Sequence, residues 1–254
     1  GIDPARPVTT TCGSGVTAPI IALALARHAT SKISTLDELE KVGSFGFRGE
    51  ALASIAAVAR VSVLSRAGEG SEGARIEADS GLLTEVVPAA AKPGTQITVS
   101  ALFHNTPARR KFLKTDATES AHALEAVRRL ALAHPAVAFT VTHNNRASLS
   151  LSNQGATQRV AAVLSDEWLA QAVAVNSEIQ TETGAMTLSG SVSRPAFASA
   201  ARDEQYLYAN NRYVRDRIVA HAIKDALRDV LHHDKSISYV LYLSVPADQV
   251  DVNV

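Results

Sequence analysis

The stretch GFRGEALASI, residues 46–55, sets a glycine-flanked, charged turn directly against an apolar run with helical spacing. Gly46 and Gly49 leave backbone N–H groups unobstructed at the start of the predicted helix, and a helix N-terminus favours phosphate. The alternative interpretation is a tight turn in which Glu50 complements the helix dipole. The stretch matches neither G-x-x-x-x-G-K-[ST] nor G-x-G-x-x-G, so these residues alone leave both interpretations open.

The composition excludes several classes of protein. The 254 residues are enough for one large domain or two ordinary ones, and the 46% of hydrophobic residues permit a substantial core. The formal net charge is zero, so any contact with DNA must come from a local basic patch. The single cysteine, Cys12, excludes an intrachain disulfide and a cysteine-rich metal site. No apolar stretch reaches membrane-spanning length, and the first residues lack the pattern of a secretory signal.

Hydrophobic periodicity predicts an α+β chain in two parts, with a boundary between residues 153 and 154 and no low-complexity linker. The alternating segments predict strands, and a hairpin is expected around Asn144 and Asn145. The predicted strands cover residues 60–66, 74–79, 95–103, 136–145, 147–152, 187–194, 205–211 and 236–245. The predicted helices cover residues 18–29, 50–59, 117–134, 156–166 and 215–231, with a further short one starting at Pro107.

Three groups of polar residues are candidates for binding phosphate. Thr30, Ser31 and Lys32 end a predicted helix, which suggests a polyphosphate partner or merely a solvated helix end. Basic side chains cluster twice more, and such clusters contact phosphate backbones or pair with acids elsewhere in the fold. The first cluster consists of Arg109, Arg110, Lys111 and Lys114, and the second of Arg212, Arg215 and Arg217. Neither a Ser-His-Asp order nor a metal-ligand spacing is present.

Five segments together resemble the successive motifs of the MutL family of DNA mismatch repair proteins, a branch of the GHKL ATPases. They are ALALARHATSKI, GFRGEALASIAAVARVSVLSR, GTQITVSALFHNTPARRKFLK, YLYANNRYVRDR and LYLSVPADQVDVNV. The resemblance covers roughly residues 12–254 in the family's order and spacing. It implies a partial GHKL, or Bergerat-type, sandwich of mixed sheet and helices over residues 1–153. A ribosomal-protein-S5-like α/β domain over residues 154–254 would follow it.

The resemblance also implies roles for individual residues. Residues of the glycine motif, the lid and the triphosphate loop would bind ATP, and Thr95 would lie at the adenine end of the pocket. The implied ATP-binding set is Gly13, Gly15, Thr30, Ser31, Lys32, Gly46, Phe47, Arg48, Gly49, Glu50 and Thr95. The implied DNA-binding set is Arg212, Arg215 and Arg217.

For the function, the resemblance implies a mismatch repair switch that binds and hydrolyses ATP with Mg²⁺ as cofactor. ATP binding would close the lid and favour a homodimer by its contacts with that state. The implied partners are DNA, a mismatch-recognition protein, and a nicking endonuclease or helicase. The implied location is the bacterial cytoplasm, in association with the nucleoid.

The sequence departs from the family pattern at both ends. The family's helix with a glutamate base and a magnesium-binding asparagine is absent, Thr11 replaces the adenine-reading aspartate, and the γ-phosphate lysine falls beyond Val254. We therefore expect no catalytic or metal-binding residue in this chain, and impaired hydrolysis. Two prolines in GIDPARPVTT suit a central strand poorly, which suggests that the stretch up to about Ile20 is foreign. The alternatives are a non-enzymatic DNA-binding or interaction module, or another GHKL ATPase such as a topoisomerase.

Overall fold

The computed structural model describes Leu25 and residues 50–182, 184–198, 204–226, 228–229 and 235–246. The chain divides into two compact units, Gly1–Leu113 and Lys114–Val254. The predicted domain boundary between residues 153 and 154 lies later in the chain, within the second of these units. The division into compact units does not test that boundary, which stays a prediction.

The first unit contains a mainly antiparallel sheet with one short helix on it. In the sheet the strand order is β3-β2-β1-β5, and β4 also pairs with β2. The elements are α1 (Ala51–Ala56), β1 (Arg60–Arg66), β2 (Ala74–Asp79), β3 (Leu82–Leu83), β4 (Val87–Pro88), β5 (Gly94–Ser100) and α2 (Pro107–Arg110).

One face of this sheet carries the core of the first unit. β2 alternates buried and exposed residues along its whole length, as the pattern ARIEAD predicts. Its Ile76 pairs with Val63 of β1, and both pack in one cluster with Ala56 of α1. The opposite face is polar, since Arg60 of β1 pairs there with Asp79. The alternation therefore assigns α1 and the apolar core to the same side of the sheet.

The second unit is built around another five-stranded sheet, with the strand order β11-β10-β12-β9-β8. β10 and β12 are parallel, and the other neighbours are antiparallel. A separate hairpin is formed by β6 and β7. The elements are α3 (Asp116–Ala133), β6 (Phe139–His143), β7 (Arg146–Leu151), α4 (Ala156–Val163), α5 (Asp166–Ala170), β8 (Ala172–Thr181), β9 (Gly184–Ser193), a 3₁₀ turn (Pro195–Phe197), β10 (Gln205–Ala209), β11 (Arg212–Val214), α6 (Arg217–Ala226) and β12 (Tyr239–Ser244).

The second sheet is covered on both faces. On one face Tyr208 and Val240 pack against Leu132 of α3 and Val160 of α4. On the other face Leu241 clusters with neighbouring strand residues and with the half-buried side chains of α6. Helices thus cover both faces at the middle of this sheet, which explains why β10 and β12 each contain three consecutive buried residues and do not alternate.

Tyrosine hydroxyls connect this sheet to the end of α3. The Tyr242 hydroxyl donates to the carbonyl of Leu132 at 3.0 Å, and the Tyr208 hydroxyl donates to that of Arg129 at 2.9 Å. Carbonyls of the last four residues of a helix lack intrahelical partners, so the bond to Leu132 satisfies a group that burial would otherwise penalise, and the bond to Arg129 adds a second acceptor contact on the same helix. Burial raises the pKa of Tyr242 to about 12, which keeps its hydroxyl a donor at neutral pH.

A fully buried arginine joins α4 to two loops of the same unit. Nη2 of Arg159 donates to the carbonyls of Pro135, Val137 and Ser152 at 2.7–2.8 Å. Burial lowers the pKa of this guanidinium, because no described carboxylate offsets the loss of water. Arg159 therefore fastens the segment after α3 and the segment after β7 to one helix.

The sequence predicted most of these elements. The hairpin around Asn144 and Asn145 is confirmed, with φ of 50° and 60° at these residues, as a two-residue turn with positive φ requires. The helix predicted over residues 50–59 is shorter, Ala51–Ala56, and the strand predicted over residues 95–103 ends at Ser100. The strand β8 was not predicted, because its second half, NSEIQT, is polar and lacks a clear alternation.

Candidate functional site

The predicted triphosphate loop ends at Glu50, directly before α1. Glu50 is half-buried, and its side chain does not cap the helix. Its carbonyl accepts from the backbone N–H of Ser54 at 2.8 Å, so Glu50 belongs to the first turn. The helix packs on the sheet through Ala53 and Ala56. The other predicted ATP-binding residues before it lie outside the described residues: Gly13, Gly15, Thr30, Ser31, Lys32, Gly46, Phe47, Arg48 and Gly49.

Thr95 lies on β5, on the same face of the sheet as α1. It pairs with Ser65 of β1, and the two hydroxyl oxygens are 2.8 Å apart. Along β5 the next residues on this face are Ile97 and Val99, which pair with Val63 and Val61 of the core. Ile97 and Val99 are nevertheless 46% and 45% exposed. Among the described residues, α1 and Leu25 therefore cover this face over β1 and β2, and the apolar side chains of β5 stay half-exposed.

A depression lies on the opposite, polar face of this sheet. It is an open cavity of about 860 Å³, lined by Ser62, Asp79, Leu82, Thr98 and His104 among others. Because Thr98 points to the face opposite Thr95, this cavity is distinct from the predicted nucleotide pocket.

Asp79 is the centre of the polar contacts on that face. It accepts from Ser80 at 2.9 Å and from Arg60 Nε at 2.9 Å, and it lies 2.9 Å from His104 Nε2. The hydrogen bond from Ser80 lowers the pKa of Asp79 most, and desolvation opposes it. Arg60 and His104 lower it further. These contacts hold the ends of β1 and β2 to the turn that follows β5.

That turn connects β5 to α2 and is pinned to the end of α1. The backbone N–H of Phe103 donates to the carbonyl of Val58 at 2.7 Å, and Asn105 Nδ2 donates to that of Ala57 at 2.9 Å. Ala101 and Phe103 have φ of 51° and 59°, so the turn is held in a left-handed conformation. These bonds fix the residues directly after α1 to the turn that leads into the basic segment.

The basic segment around α2 is exposed. Within the part of the chain that the structure describes, none of its cations forms an ion pair with a carboxylate. Phe112, in the middle of the segment, is 80% exposed. The segment consists of Arg109, Arg110, Lys111, Phe112 and Lys114. The alternative that these cations pair with acids finds no support among the described residues.

The predicted DNA-binding arginines lie at β11 and at the start of α6. Arg212 is half-buried on β11, whereas Arg215 and Arg217 are exposed. Between the latter two, the Asp216 carboxylate accepts from the backbone N–H of Val219 at 2.7 Å and caps α6. The structure thus brings the three arginines together in one short segment with one acid between them.

Sequence reasoning missed Tyr213, which lies among these arginines. Its hydroxyl accepts from Arg215 Nε at 3.3 Å, and the guanidinium of Arg129 lies 4.4 Å from the centre of its ring. The contact with Tyr213 raises the pKa of Arg215 above its ordinary value, with a smaller contribution from Glu125. A signal was available, because side chains two residues apart on an extended segment point to the same side. The contact with Arg129 could not be predicted from such local spacing.

The described residues offer neither a metal cage nor a membrane span. They contain no group of three or more His, Cys, Asp or Glu side chains arranged to hold a metal ion. Among those residues, no helix is both long enough and apolar enough to cross a membrane.

Comparison with known proteins gives the class and then the family. A family model described as "DNA mismatch repair protein, C-terminal domain" matches residues 160–254. The MutL ATPase domain of Aquifex aeolicus complexed with ADP is 29% identical, with a TM-score of 0.59, over 84% of this chain and 76% of that one. The N-terminal domain of a DNA repair protein is 24% identical, with a TM-score of 0.75, over 95% of this chain and 74% of that one. The predicted fold, a partial GHKL ATPase sandwich followed by an S5-like domain, is confirmed.

The DNA mismatch repair protein MutL of Thiobacillus denitrificans is 52% identical over 242 residues, which are 95% of this chain. The chain belongs to the MutL family of DNA mismatch repair proteins. It spans 40% of the length of that relative. The comparison does not test the origin of the stretch up to about Ile20, which stays a prediction.

Proposed function

We propose that the full-length protein is an ATP-binding and ATP-hydrolysing switch in DNA mismatch repair. In this proposal ATP binding favours a closed homodimer, which couples mismatch recognition to the downstream repair proteins. The observation that carries the nucleotide part is the shared sheet face, where α1 follows the predicted triphosphate loop and Thr95 lies on the half-exposed strand β5. The family relationship makes this function preferable to the predicted alternative of a topoisomerase.

The residues of the open face suit an adenine nucleotide. The Thr95 hydroxyl is exposed and contacts the Ser65 hydroxyl, and two hydroxyls can rotate so that either donates or accepts. Ile97 and Val99 offer a half-exposed apolar surface beside it, which suits a flat ring. Glu50 and the residues before it would bind the triphosphate through their backbone N–H groups. A nucleotide ligand agrees with the relative from Aquifex aeolicus, whose ATPase domain was solved with ADP. Mg²⁺ remains a prediction for the full-length protein.

The DNA part of the proposal rests on the exposed arginines. Arg215 and Arg217 present guanidinium groups to solvent on either side of the α6 cap, and Arg212 lies on the adjacent strand. Guanidinium groups bind phosphate oxygens well, and such contacts position a protein on DNA without reading its sequence. Because the net charge is zero, we expect weak binding at physiological salt.

The proposed partners are therefore DNA, a mismatch-recognition protein, a nicking endonuclease or helicase, and a second copy of the chain. The proposed location is the bacterial cytoplasm, near the nucleoid. Measuring ATP hydrolysis as well as ATP binding distinguishes the proposed switch from the remaining alternative, a DNA-binding module without ATP turnover. ATP binding without any turnover by the full-length protein would favour that alternative.

The nucleotide site is tested by two matched substitutions on β5, measured by calorimetry with ATP on the full-length protein. Thr95→Val removes the hydroxyl from the α1 face, and Thr98→Val removes one from the opposite face of the same strand. We expect Thr95→Val to weaken ATP binding about two- to tenfold, the value of one hydrogen bond, and Thr98→Val to leave it unchanged. Equal effects of the two substitutions would contradict the assignment of this face.

The DNA site is tested by replacing Arg212, Arg215 and Arg217 together with alanine. The slope of the logarithm of the association constant against the logarithm of salt concentration should flatten by about one unit for each phosphate that the variant no longer binds. A triple variant with the slope of the unmodified protein would remove the DNA role from this segment.

A further inference from the structure

Tyr213 contacts two arginines, Arg129 through its ring and Arg215 through its hydroxyl. The ring is packed edge-on against Tyr206 and Tyr208, at centre-to-centre distances of 6.5 and 5.9 Å. The Arg129 guanidinium lies 4.4 Å from the centre of the Tyr213 ring, within the range of a cation–π contact. The ring is therefore held by neighbours on several sides, and the position of its hydroxyl is fixed.

The groups that hold the ring are themselves fixed. Arg129 Nε donates to Glu125 Oε1 at 3.0 Å on the same helix, and the Tyr206 hydroxyl donates to Glu125 Oε2 at 3.3 Å. The Tyr208 hydroxyl is bonded to the carbonyl of Arg129. Each member of this cluster is thus tied to α3, which packs on the sheet through its last turn. The cluster gives the Tyr213 hydroxyl a rigid support.

The fixed hydroxyl contacts Arg215. Arg215 is an exposed side chain, and its Nε donates to the Tyr213 hydroxyl at 3.3 Å. A mobile arginine loses considerable rotamer entropy when it binds in a defined geometry. An arginine held through Nε still carries two terminal amino groups, which can pair end-on with a phosphate. Anchoring through Nε therefore reduces the entropy that Arg215 would lose on binding.

We propose that Tyr213 is a positioning residue, which holds the Arg215 guanidinium in place for a phosphate of the DNA backbone. The proposal rests on the proposed DNA contact of Arg215. Tyr213 itself need not contact DNA, since it acts through the hydroxyl–Nε hydrogen bond. The chemistry recognised is a phosphodiester, and the tyrosine determines how tightly it is bound rather than which sequence is bound.

The test measures binding of the 254-residue chain to a fluorescently labelled DNA duplex over a series of salt concentrations. Tyr213→Phe keeps the ring and its packing but removes the hydroxyl. We expect its dissociation constant to rise about two- to tenfold at every salt concentration, with an unchanged salt slope, because the phosphate is still bound without the anchor. Arg215→Ala should instead flatten the slope by about one unit, since it removes the phosphate-binding group itself.

The matched control is Tyr242→Phe. Tyr242 stacks on Tyr208 in the same aromatic cluster, but its hydroxyl donates to the carbonyl of Leu132 and contacts no arginine among the described residues. We expect Tyr242→Phe to be less stable than the unmodified protein. At a temperature at which both are folded, we expect the two to bind DNA with the same affinity. A loss of affinity equal to that of Tyr213→Phe would show that the cluster acts only through the fold, and would overturn the proposal.

A double-mutant cycle separates positioning from an independent role. In the Arg215→Ala background Tyr213→Phe should cause no further loss of affinity, because its effect passes through Arg215. The same is expected in the Arg215→Lys background, since lysine keeps the charge but has no Nε–H donor. Additive losses in either background would overturn the proposal. If Arg215→Ala itself binds DNA with unchanged affinity and slope, the proposed DNA contact fails instead, and the two failures are thereby distinguished.

Discussion

The two sheets of this protein use the same number of strands in different ways. The sheet of the first unit has its core on one face, and its strand β5 is exposed at every residue. The sheet of the second unit is covered on both faces at β10 and β12, where three consecutive residues of each strand are buried. The difference teaches that burial is concentrated in the middle strands of the second sheet, whereas the apolar side chains of β5 in the first sheet stay half-exposed, which is where we propose that the nucleotide binds.

The largest effect is expected at Gly190 in the second sheet. A Cβ there would lie 2.1 Å from the carbonyl oxygen of Val240 on the neighbouring strand, and the φ of 135° is strained for any other residue. We expect Gly190→Ala to lower the free energy of unfolding of the second unit by about 3–5 kcal/mol. Urea denaturation followed by circular dichroism measures this loss.

Gly68 provides the matched control for that substitution. It lies in the loop after β1 of the first unit, and no heavy atom lies within 4 Å of the place where its Cβ would be. We expect Gly68→Ala to change the free energy of unfolding by less than about 1 kcal/mol. A loss at Gly190 as small as that at Gly68 would break the comparison, because the second sheet would then tolerate a side chain where the structure leaves none.

The next effect compares two aliphatic side chains, one from each sheet. Leu241 of β12 is 2% exposed, whereas Ile97 of β5 is 46% exposed. We expect Leu241→Ala to cost about 2–5 kcal/mol and Ile97→Ala about 1 kcal/mol or less, because only the first creates a cavity in a closed core. Thermal denaturation of both variants measures the difference. Equal losses would show that the open face of β5 is as well packed as the second sheet.

The Ile97→Ala variant also tests whether the half-exposed face of β5 binds ATP. In the full-length protein its larger effect should be on ATP affinity, since the open face is proposed to receive the adenine. Unchanged ATP affinity together with a large loss of stability would assign Ile97 to the core and not to the pocket.

The smallest effect concerns the polar face of the first sheet and depends on pH. The pKa of Asp79 lies below its ordinary value of 3.8, chiefly because Ser80 donates to the carboxylate. A carboxyl group with a lowered folded pKa stabilises the fold above its unfolded pKa, and this contribution disappears as the pH falls through the folded pKa. The melting temperature of Asp79→Asn should therefore be slightly lower than that of the unmodified protein at neutral pH. The difference should shrink as the pH falls below about 3.8 and vanish once the folded carboxyl is protonated.

Glu85→Gln serves as the control for that titration. Glu85 is exposed, and its side chain forms no ion pair with any residue that the structure describes. The melting temperature of the Glu85→Gln variant should follow that of the unmodified protein across the same pH range. A pH-independent difference for Asp79→Asn would contradict the role of the ionised carboxylate.

Local pattern predicted the fold well where burial is one-sided. ARIEAD alternates in sequence and alternates in burial as β2, because one face of that strand packs on the core. β5 was also predicted as a strand, although over residues 95–103, but its apolar residues remain half-exposed. Alternation determines which side a residue points to, and it says nothing about whether another element covers that side.

The candidate site could be predicted in part. Thr95 came from the resemblance of a motif, and the structure adds that it shares a face with α1. The contact of Tyr213 with Arg215 is local in sequence, whereas its contact with Arg129 comes from a helix far away in sequence. Contacts of that kind follow from the pairing of strands and the packing of α3. No local spacing in a single sequence contains them.

The parallel pair β10 and β12 has a consequence for the order of folding. The hairpins β6–β7 and β8–β9 join segments that follow each other in sequence, whereas β10 and β12 are separated in sequence by β11 and α6. Closing a longer loop costs entropy before its contacts repay it, so pairings distant in sequence form slowly. We therefore expect amide protection at Val240 to appear after protection at Val175 in a pulse-labelled refolding experiment. β12 pairs with β10, which carries the tyrosines that pack against Tyr213. Of the described strands of the second unit, β12 would then be the last to form.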